Sequence, residues 1–314
     1  MKVLVTGGCG FIGSHLCRAL EEAGHHVRVL DNLSSGDKEA LSSSVELVIG
    51  DIRDAPLFQS VLEGVDFCFH LAAVASVQQS REAWQETHSI NLSGMITLFE
   101  AVRRYAQRND SVPIPVVYAS SAAVYGNGAE NPLSEDMAVQ PFTPYGADKL
   151  GCEQHAYVAR TLYGIPNIGF RFFNVYGPGQ NPNSPYSGVI SVFLKRCAEN
   201  NPVTIYGDGE QVRDFVYVGD VVSVLMQSMG KMNDQDAGIF NICTGKATSI
   251  HKLVQTIGEI SQKEIPCDYQ PERRSDIRTS IGNPSRLERW LGNVPQTSLE
   301  VGLKMCIDEN IKEK

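Results

Sequence analysis

No stretch of this chain is apolar for the roughly 20 residues that a bilayer span needs. No two cysteines stand in a CxxC pair, and no Cys/His cluster is present. Repeats, low-complexity linkers and a basic excess are also missing. The first absence argues against a membrane protein. The second argues against zinc and against a disulfide framework: Cys9, Cys17, Cys68, Cys152, Cys197, Cys243, Cys267 and Cys306 are scattered, as expected of buried thiols in a reducing compartment. The lack of positive charge, 27 Lys and Arg against 36 Asp and Glu for a net −9, argues against nucleic acid as a partner. Glycines interrupt the apolar start MKVLVTGGCGFIG and no cleavage-like site follows, so a signal peptide is not expected and a cytoplasmic location is.

What remains, 314 residues with 42% hydrophobic side chains, suits one large unit or two domains. Short, nearly continuous apolar runs recur at 2–6, 26–31, 45–51, 65–72, 115–120 and 167–174, as expected of strands buried on both faces. Helical stretches alternate with them: one ends at Gly24, one runs through AWQETHSINLSGMITLFEAVRRYAQR, and one begins near Pro144 and ends at Gly164. The alternation predicts an α/β fold with a doubly wound parallel sheet. After residue 176 the texture changes. A turn-rich loop, GPGQNPNSPYSG, leads to shorter elements, with strands at 213–218 and 238–245 and amphipathic helices near 249–262 and 298–311. A smaller α/β lobe packed on the first is expected, with residues 1–176 and 214–245 in the larger unit and 177–213 and 246–314 in the smaller.

Gly7, Gly10 and Gly13 lie between the first strand and the first helix. Glycines there allow a tight turn and close approach to a pyrophosphate, whose charge the helix N-terminus favours. Asp31 ends the next strand, where its carboxylate suits ribose hydroxyls and repels a 2′-phosphate; NAD is therefore expected over NADP. Asn32, Ser34 and Ser35 suit the same ribose, and Asp51 with Ile52 suits the adenine edge. Tyr145 and Lys149, four residues apart on a helix, share one face. An ammonium beside a phenol favours the phenolate, which makes tyrosine a usable general base. A hydroxyl at another strand end, Ser121 or Ser120, suits a proton relay.

These motifs, with HLAA at 70–73, Asn91, SSAAVYG at 120–126, RFFNVYGP at 171–178 and RDFVYV at 213–218, resemble the extended short-chain dehydrogenases/reductases, specifically the NAD-dependent nucleotide-sugar epimerase/dehydratase family, nearly end to end. The resemblance implies a Rossmann-type unit. It extends the cofactor set to Phe11, Ile12, Gly36, Leu71, Ala72, Ala73 and Asn91, and places the catalytic serine at Ser121. It also implies hydride transfer at C4 of a sugar, with Tyr145 taking the hydroxyl proton directly or through Ser121. Family dehydratases carry an Asp-Glu pair after the hydroxyl residue, and decarboxylases a Glu; Ala122 and Ala123 stand here, which favours plain 4-epimerisation. In the second lobe Asn174, Arg213 and Arg273 would contact the diphosphate, with Arg274 a rival to Arg273. Asp276 would contact the ribose and Tyr206 the base, with uracil expected; Val189 and Ser76 complete the substrate set. Ser280 stands where a bulky tyrosine would exclude N-acetyl groups, so UDP-GlcNAc and UDP-GalNAc are expected, beside plain hexoses. Gly179 replaces the Arg common after GP, which weakens a UDP-glucuronate reading. Dehydratase, decarboxylase and reductase activities on the same fold are the alternatives. A non-catalytic NAD-binding regulator is another, disfavoured by the presence of Ser121, Tyr145 and Lys149. A homodimer is implied by resemblance.

Overall fold

The computed structural model describes residues 1–127, 130–184, 187–232, 238–272, 276–292 and 294–312. Six strands follow the apolar runs: β1 (Lys2–Thr6), β2 (His26–Asp31), β3 (Glu46–Ile49), β4 (Phe67–His70), β5 (Val116–Ser121) and β6 (Asn167–Phe172). They continue through β7 (Asn174–Tyr176), β8 (Val203–Tyr206), β9 (Val212–Arg213), β10 (Phe215–Tyr217), β11 (Gly238–Ile242), β12 (Thr248–Ser249), β13 (Cys267–Gln270) and β14 (Thr279–Ser280). The helices are α1 (Phe11–Glu22), α2 (Ala55–Val61), α3 (Val77–Glu82), α4 (Trp84–His88), α5 (Gly94–Asn109), α6 (Pro144–Tyr163), α7 (Val189–Ala198), α8 (Val218–Lys231), α9 (Ile250–Ser261), α10 (Ser285–Leu291) and α11 (Leu299–Lys312).

Seven strands form one parallel sheet in the order β11-β6-β5-β4-β1-β2-β3. The order reverses between β1 and β4, so a crevice opens at the carboxyl ends of these two strands, where ligands of such sheets bind. Alternation along β1 sends Val3 and Val5 into a core with Leu16, Val29, Phe69 and Phe170. Leu4 goes to the opposite face with Leu30, Phe58, Leu98 and Val116. Both faces are buried, which is why these strands carry no polar alternation. A third cluster, with Tyr176, Phe193, Ile205, Phe215, Leu253 and Leu303, fills the smaller lobe.

Several expected elements are divided. The apolar run 167–174 stops pairing in the large sheet at Phe172, and β7 pairs instead with β10. The run 213–218 is interrupted by Asp214; β9 joins β12 and β14, while β10 joins β7. The expected helix through 83–108 is α4, a wider π turn at Ser89–Ser93, and α5. The last stretch returns to the large sheet: Leu287 and Leu291 of α10 are buried with Ile168 and Phe170, and Trp290 stacks on Phe240 at 4.5 Å. α10 thus packs against the large sheet. All eight cysteines are free. Among the described residues no helix is long and apolar enough to cross a membrane.

Candidate active site

The turn between β1 and α1 is shaped by close backbone approaches. Gly7 has φ +72°, and a Cβ there would lie 2.7 Å from the Ala72 backbone nitrogen. The loop after β4, with Leu71, Ala72 and Ala73, thus closes directly over the turn. A Cβ on Gly13 would come within 2.1 Å of the Gly7 carbonyl oxygen, so α1 packs on its own entry strand only with glycine. Gly10 differs: the one neighbouring atom within 4 Å of an added Cβ is the Gly7 oxygen, at 3.2 Å. A side chain there would project over the start of α1, which no side chain caps. The first N–H groups of α1, at Phe11, Ile12 and Gly13, therefore lack intrahelical partners and suit a pyrophosphate.

Asp31 is buried, and its carboxylate accepts from Cys9 N at 3.0 Å and Leu33 N at 2.8 Å. It braces the glycine turn from the neighbouring strand. The following loop lies over the same turn, with Asp37 N donating to Cys9 O at 3.0 Å and a Cβ on Gly36 reaching 2.7 Å from Cys9. Asn32, Ser34 and Ser35 are exposed along it. Asp51 is gripped by Arg53 through two bonds of 2.9 and 2.7 Å, and that guanidinium holds its carboxyl below the usual range. Ile52 is buried against Gly94. These residues fit a dinucleotide lying across the end of the sheet.

Asn91 is a different case. It sits in the π turn, 2% exposed, accepting from Val74 N at 2.8 Å and donating to Val74 O at 3.1 Å. Its amide is engaged with the loop that follows Ala73, so it holds that loop in place. His70, at the end of β4, bonds Thr6 Oγ1 at 2.8 Å; burial, then the charge of Lys149, pushes its pKa down to about 3, leaving it neutral.

The two serines of β5 face opposite ways, as alternation requires. Ser120 is buried and donates to Glu153 at 2.5 Å. Glu153 is paired with Arg171 at 2.9 and 2.7 Å, and Arg171 lies 4.7 Å over the Tyr125 ring. Ser120 therefore belongs to a buried network under the strand. Ser121 is half-buried, and its hydroxyl accepts from Ala123 N at 3.1 Å, capping the short turn Ala122–Tyr125.

That turn rests on the first turn of α6. A Cβ on Gly146 would meet the Ala123 carbonyl oxygen at 2.6 Å. Thr143 caps the helix, and Tyr145 N donates to buried Ser80 at 3.2 Å. Lys149 donates to Ala119 O at 2.8 Å, and its ammonium is 5.9 Å from the centroid of the Tyr145 ring. Ser121, Tyr145 and Lys149 are thus gathered where β5 meets α6.

In the smaller lobe Arg213 donates to Val212 O at 2.9 Å and Ile277 O at 2.6 Å and pairs with Asp276. Ser280 is buried opposite Arg213 in the β14–β9 pair. Asn174 donates to Asp214 O through its backbone at 3.0 Å and its amide at 3.2 Å. Tyr206 ends β8, with its carbonyl accepting from Gln211 at 3.0 Å. Val189 opens α7, whose N-terminus also lacks a side-chain cap. Ser76 caps α3 through Gln79 N at 3.1 Å. Arg273 and Arg274 lie outside the described residues.

Asp214 was not among the expected site residues, although an acid inside RDFVYV was a visible anomaly. It is fully buried and accepts from Thr244 N, Thr244 Oγ1 and Gly245 N at 2.8, 2.6 and 2.8 Å, and from Gly282 N at 3.2 Å. Burial nevertheless pushes its pKa up. It fastens the ends of β9 and β11 to the segment after β14.

The model of the NAD-dependent epimerase/dehydratase family matches residues 3–243. A UDP-glucose 4-epimerase of Mycolicibacterium smegmatis is 36% identical over 316 residues, covering 98% of each chain. The crystal structure of UDP-glucose 4-epimerase from Thermotoga maritima with UDP-glucose superposes with TM-score 0.94 at 34% identity, covering 100% of this chain and 99% of that one. The UDP-N-acetylglucosamine 4-epimerase of Methanobrevibacter ruminantium, in complex with UDP-N-acetylmuramic acid, gives TM-score 0.91 at 34% identity and the same coverage.

Proposed function

Because the chain belongs to the NAD-dependent epimerase/dehydratase family and is an NAD-using nucleotide-sugar 4-epimerase, we propose that it interconverts UDP-GlcNAc and UDP-GalNAc, and also UDP-glucose and UDP-galactose. Tyr145 removes the proton of the sugar 4-hydroxyl, directly or through Ser121, and later returns it. Lys149, tied to the end of β5 and lying beside the phenol, favours the phenolate. When bound, NAD takes up the C4 hydrogen as hydride and gives it back to the other face of the 4-keto sugar. The observation that carries this reading is the seating of the Ser121 turn on the first turn of α6, which brings the hydroxyl, phenol and ammonium to one strand end.

Ala122 and Ala123 support epimerisation over elimination, since neither methyl group can move a proton. Ser280 supports N-acetyl sugars because a small residue leaves room at C2. In this reading Asn174, Arg213 and Arg273 hold the diphosphate, Asp276 the ribose and Tyr206 the base. Residues 1–176 and 214–245, joined by α10, carry NAD; the rest carries the nucleotide sugar. We further assign the protein to the cytoplasm, in keeping with its free thiols, and to a homodimer formed through α5 and α6. Ile96, Tyr157, Val158, Leu162 and Tyr163 are exposed there and support such a contact.

The test incubates the enzyme separately with UDP-GlcNAc, UDP-glucose and UDP-glucuronate and follows the sugars by NMR. Axial–equatorial mixtures at C4 are expected from the first two. Loss of water or carbon dioxide would overturn the reaction class, and turnover of UDP-glucuronate alone would overturn the sugar.

A further inference from the structure

Asp148 stands between Tyr145 and Lys149 on α6 and is 3% exposed. One carboxylate oxygen meets His88 Nδ1 of α4 at 2.8 Å. The other is buried with no hydrogen-bond partner. A contact serving only to fasten α4 to α6 gains nothing from a half-partnered buried acid, which is costly to keep. Burial pushes the Asp148 pKa up, while His88 and Lys149 act against this. Asp148 thus stands next to the proposed base with one oxygen held by His88 and the other unpartnered.

The surrounding charges leave Asp148 facing mainly these two partners. Glu153 of α6 is paired with Arg171 of β6, and Glu86 of α4 with Arg53. α3 carries Arg81 and Glu82 at exposed positions, and on α5 Glu100 is taken by Arg103 and Arg104. The π turn brings uncharged Asn91, β4 brings neutral His70, and β5 brings the Ala119 carbonyl and the Ser120 hydroxyl. Cys152, one turn along α6, is a buried thiol that burial pushes up to about 11.

We infer that Asp148, held by His88, is a positioning residue for catalysis: it supplies the negative charge that opposes Lys149 and thereby sets the pH at which Tyr145 becomes competent as a base. This rests on the proposed role of Tyr145. Removing the charge favours the phenolate, so Asp148→Asn and Asp148→Ala both move the acidic midpoint of the activity–pH profile downward by roughly one unit, the size expected for one charge a helical turn away at intermediate dielectric.

The experiment records this profile beside a second readout that needs no turnover. That readout is the tyrosinate absorbance of the resting holoenzyme, corrected with the same titration of Tyr145→Phe. A downward shift in both variants supports the inference. If D148A loses activity, D148N restores it and neither midpoint moves, Asp148 only fastens two helices and the inference is overturned. A moved tyrosinate midpoint without turnover of any UDP-sugar upholds the charge effect and overturns the proposed reaction instead. Turnover with both midpoints unmoved does the reverse.

Discussion

At the end of β1 the backbone comes within 2.1 Å of where a Cβ on Gly13 would lie, and no side chain caps the helix beyond. At the end of β9 the opposite arrangement holds. Arg213 is paired with Asp276, and buried Asp214 gathers four donors from two later segments. The glycine turn after β1 is shaped by side chains that are left out, the junction after β9 by polar side chains that are paired. The first arrangement tolerates almost no change of volume. The second tolerates changes of shape better than changes of charge.

The sharpest contrast is therefore between a methyl group and a charge. Gly13→Ala forces α1 away from β1 and should abolish NAD retention through gel filtration, with turnover lost as a consequence. Tyr145→Phe should retain NAD and stop turnover; NAD loss there, or unchanged turnover, would break the division of roles. Next in size is the serine pair. Ser121→Ala should lower kcat on the order of 100-fold, as for loss of a proton-relay group, with little change in unfolding midpoint. Ser120→Ala should leave kcat within about threefold and instead cost about 1–2 kcal/mol of stability, because Glu153 loses a buried donor. Equal kinetic effects would contradict the opposite facing of the two hydroxyls.

At the junction after β9, Asp214→Ala leaves the N–H groups of half-buried Thr244, exposed Gly245 and buried Gly282 without their acceptor and should cost about 3 kcal/mol in urea unfolding. NAD retention should persist while KM for the UDP-sugar rises. The smallest effect lies in pH dependence, and Asp51 and Asp214 should differ in sign. Arg53 lowers the pKa of Asp51, so its contribution to stability is complete above the ordinary carboxylate range and is lost as pH falls through the lowered value. Burial raises that of Asp214, so its contribution is complete below the ordinary range and is lost as pH rises through the raised value. Urea midpoints measured across acidic pH should show Arg53→Gln flattening the acid-side loss and Asp214→Asn flattening the other.

The same contrast explains what could be read from the residues alone. Gly7, Gly13 and Asp31 were legible because their meaning is local: a strand, a tight turn and a helix follow one another within 31 residues. The Tyr145–Lys149 face was legible from helical spacing and from punctuation by Pro144 and Gly164. Alternation makes Ser120 and Ser121 face opposite ways, but which one meets solvent depends on Glu153 and Arg171, which arrive from other elements. The break at Phe173 was hidden because it interrupts a run that is otherwise strand-like; the acid at 214 was visible in its run, but the partners it gathers lie far along the chain. Helices α2, α3, α7, α8 and α10 were not anticipated. For α8 the reason is plain: it starts at Val218, inside an apolar run whose composition suits a strand as well as a buried helix. The π turn carrying Asn91 lies within a pattern that is helical on both sides, so only the bond to Val74 exposes it.

The central claim is that the C4 hydrogen leaves and returns within the enzyme while Tyr145 handles only the hydroxyl proton. Running UDP-GlcNAc with the NAD-loaded protein in D2O and reading the product by NMR tests this directly. The account predicts a UDP-GlcNAc/UDP-GalNAc mixture that retains protium at C4. Deuterium at C4 of the epimer would show that the carbon exchanges its hydrogen with solvent, and would contradict it.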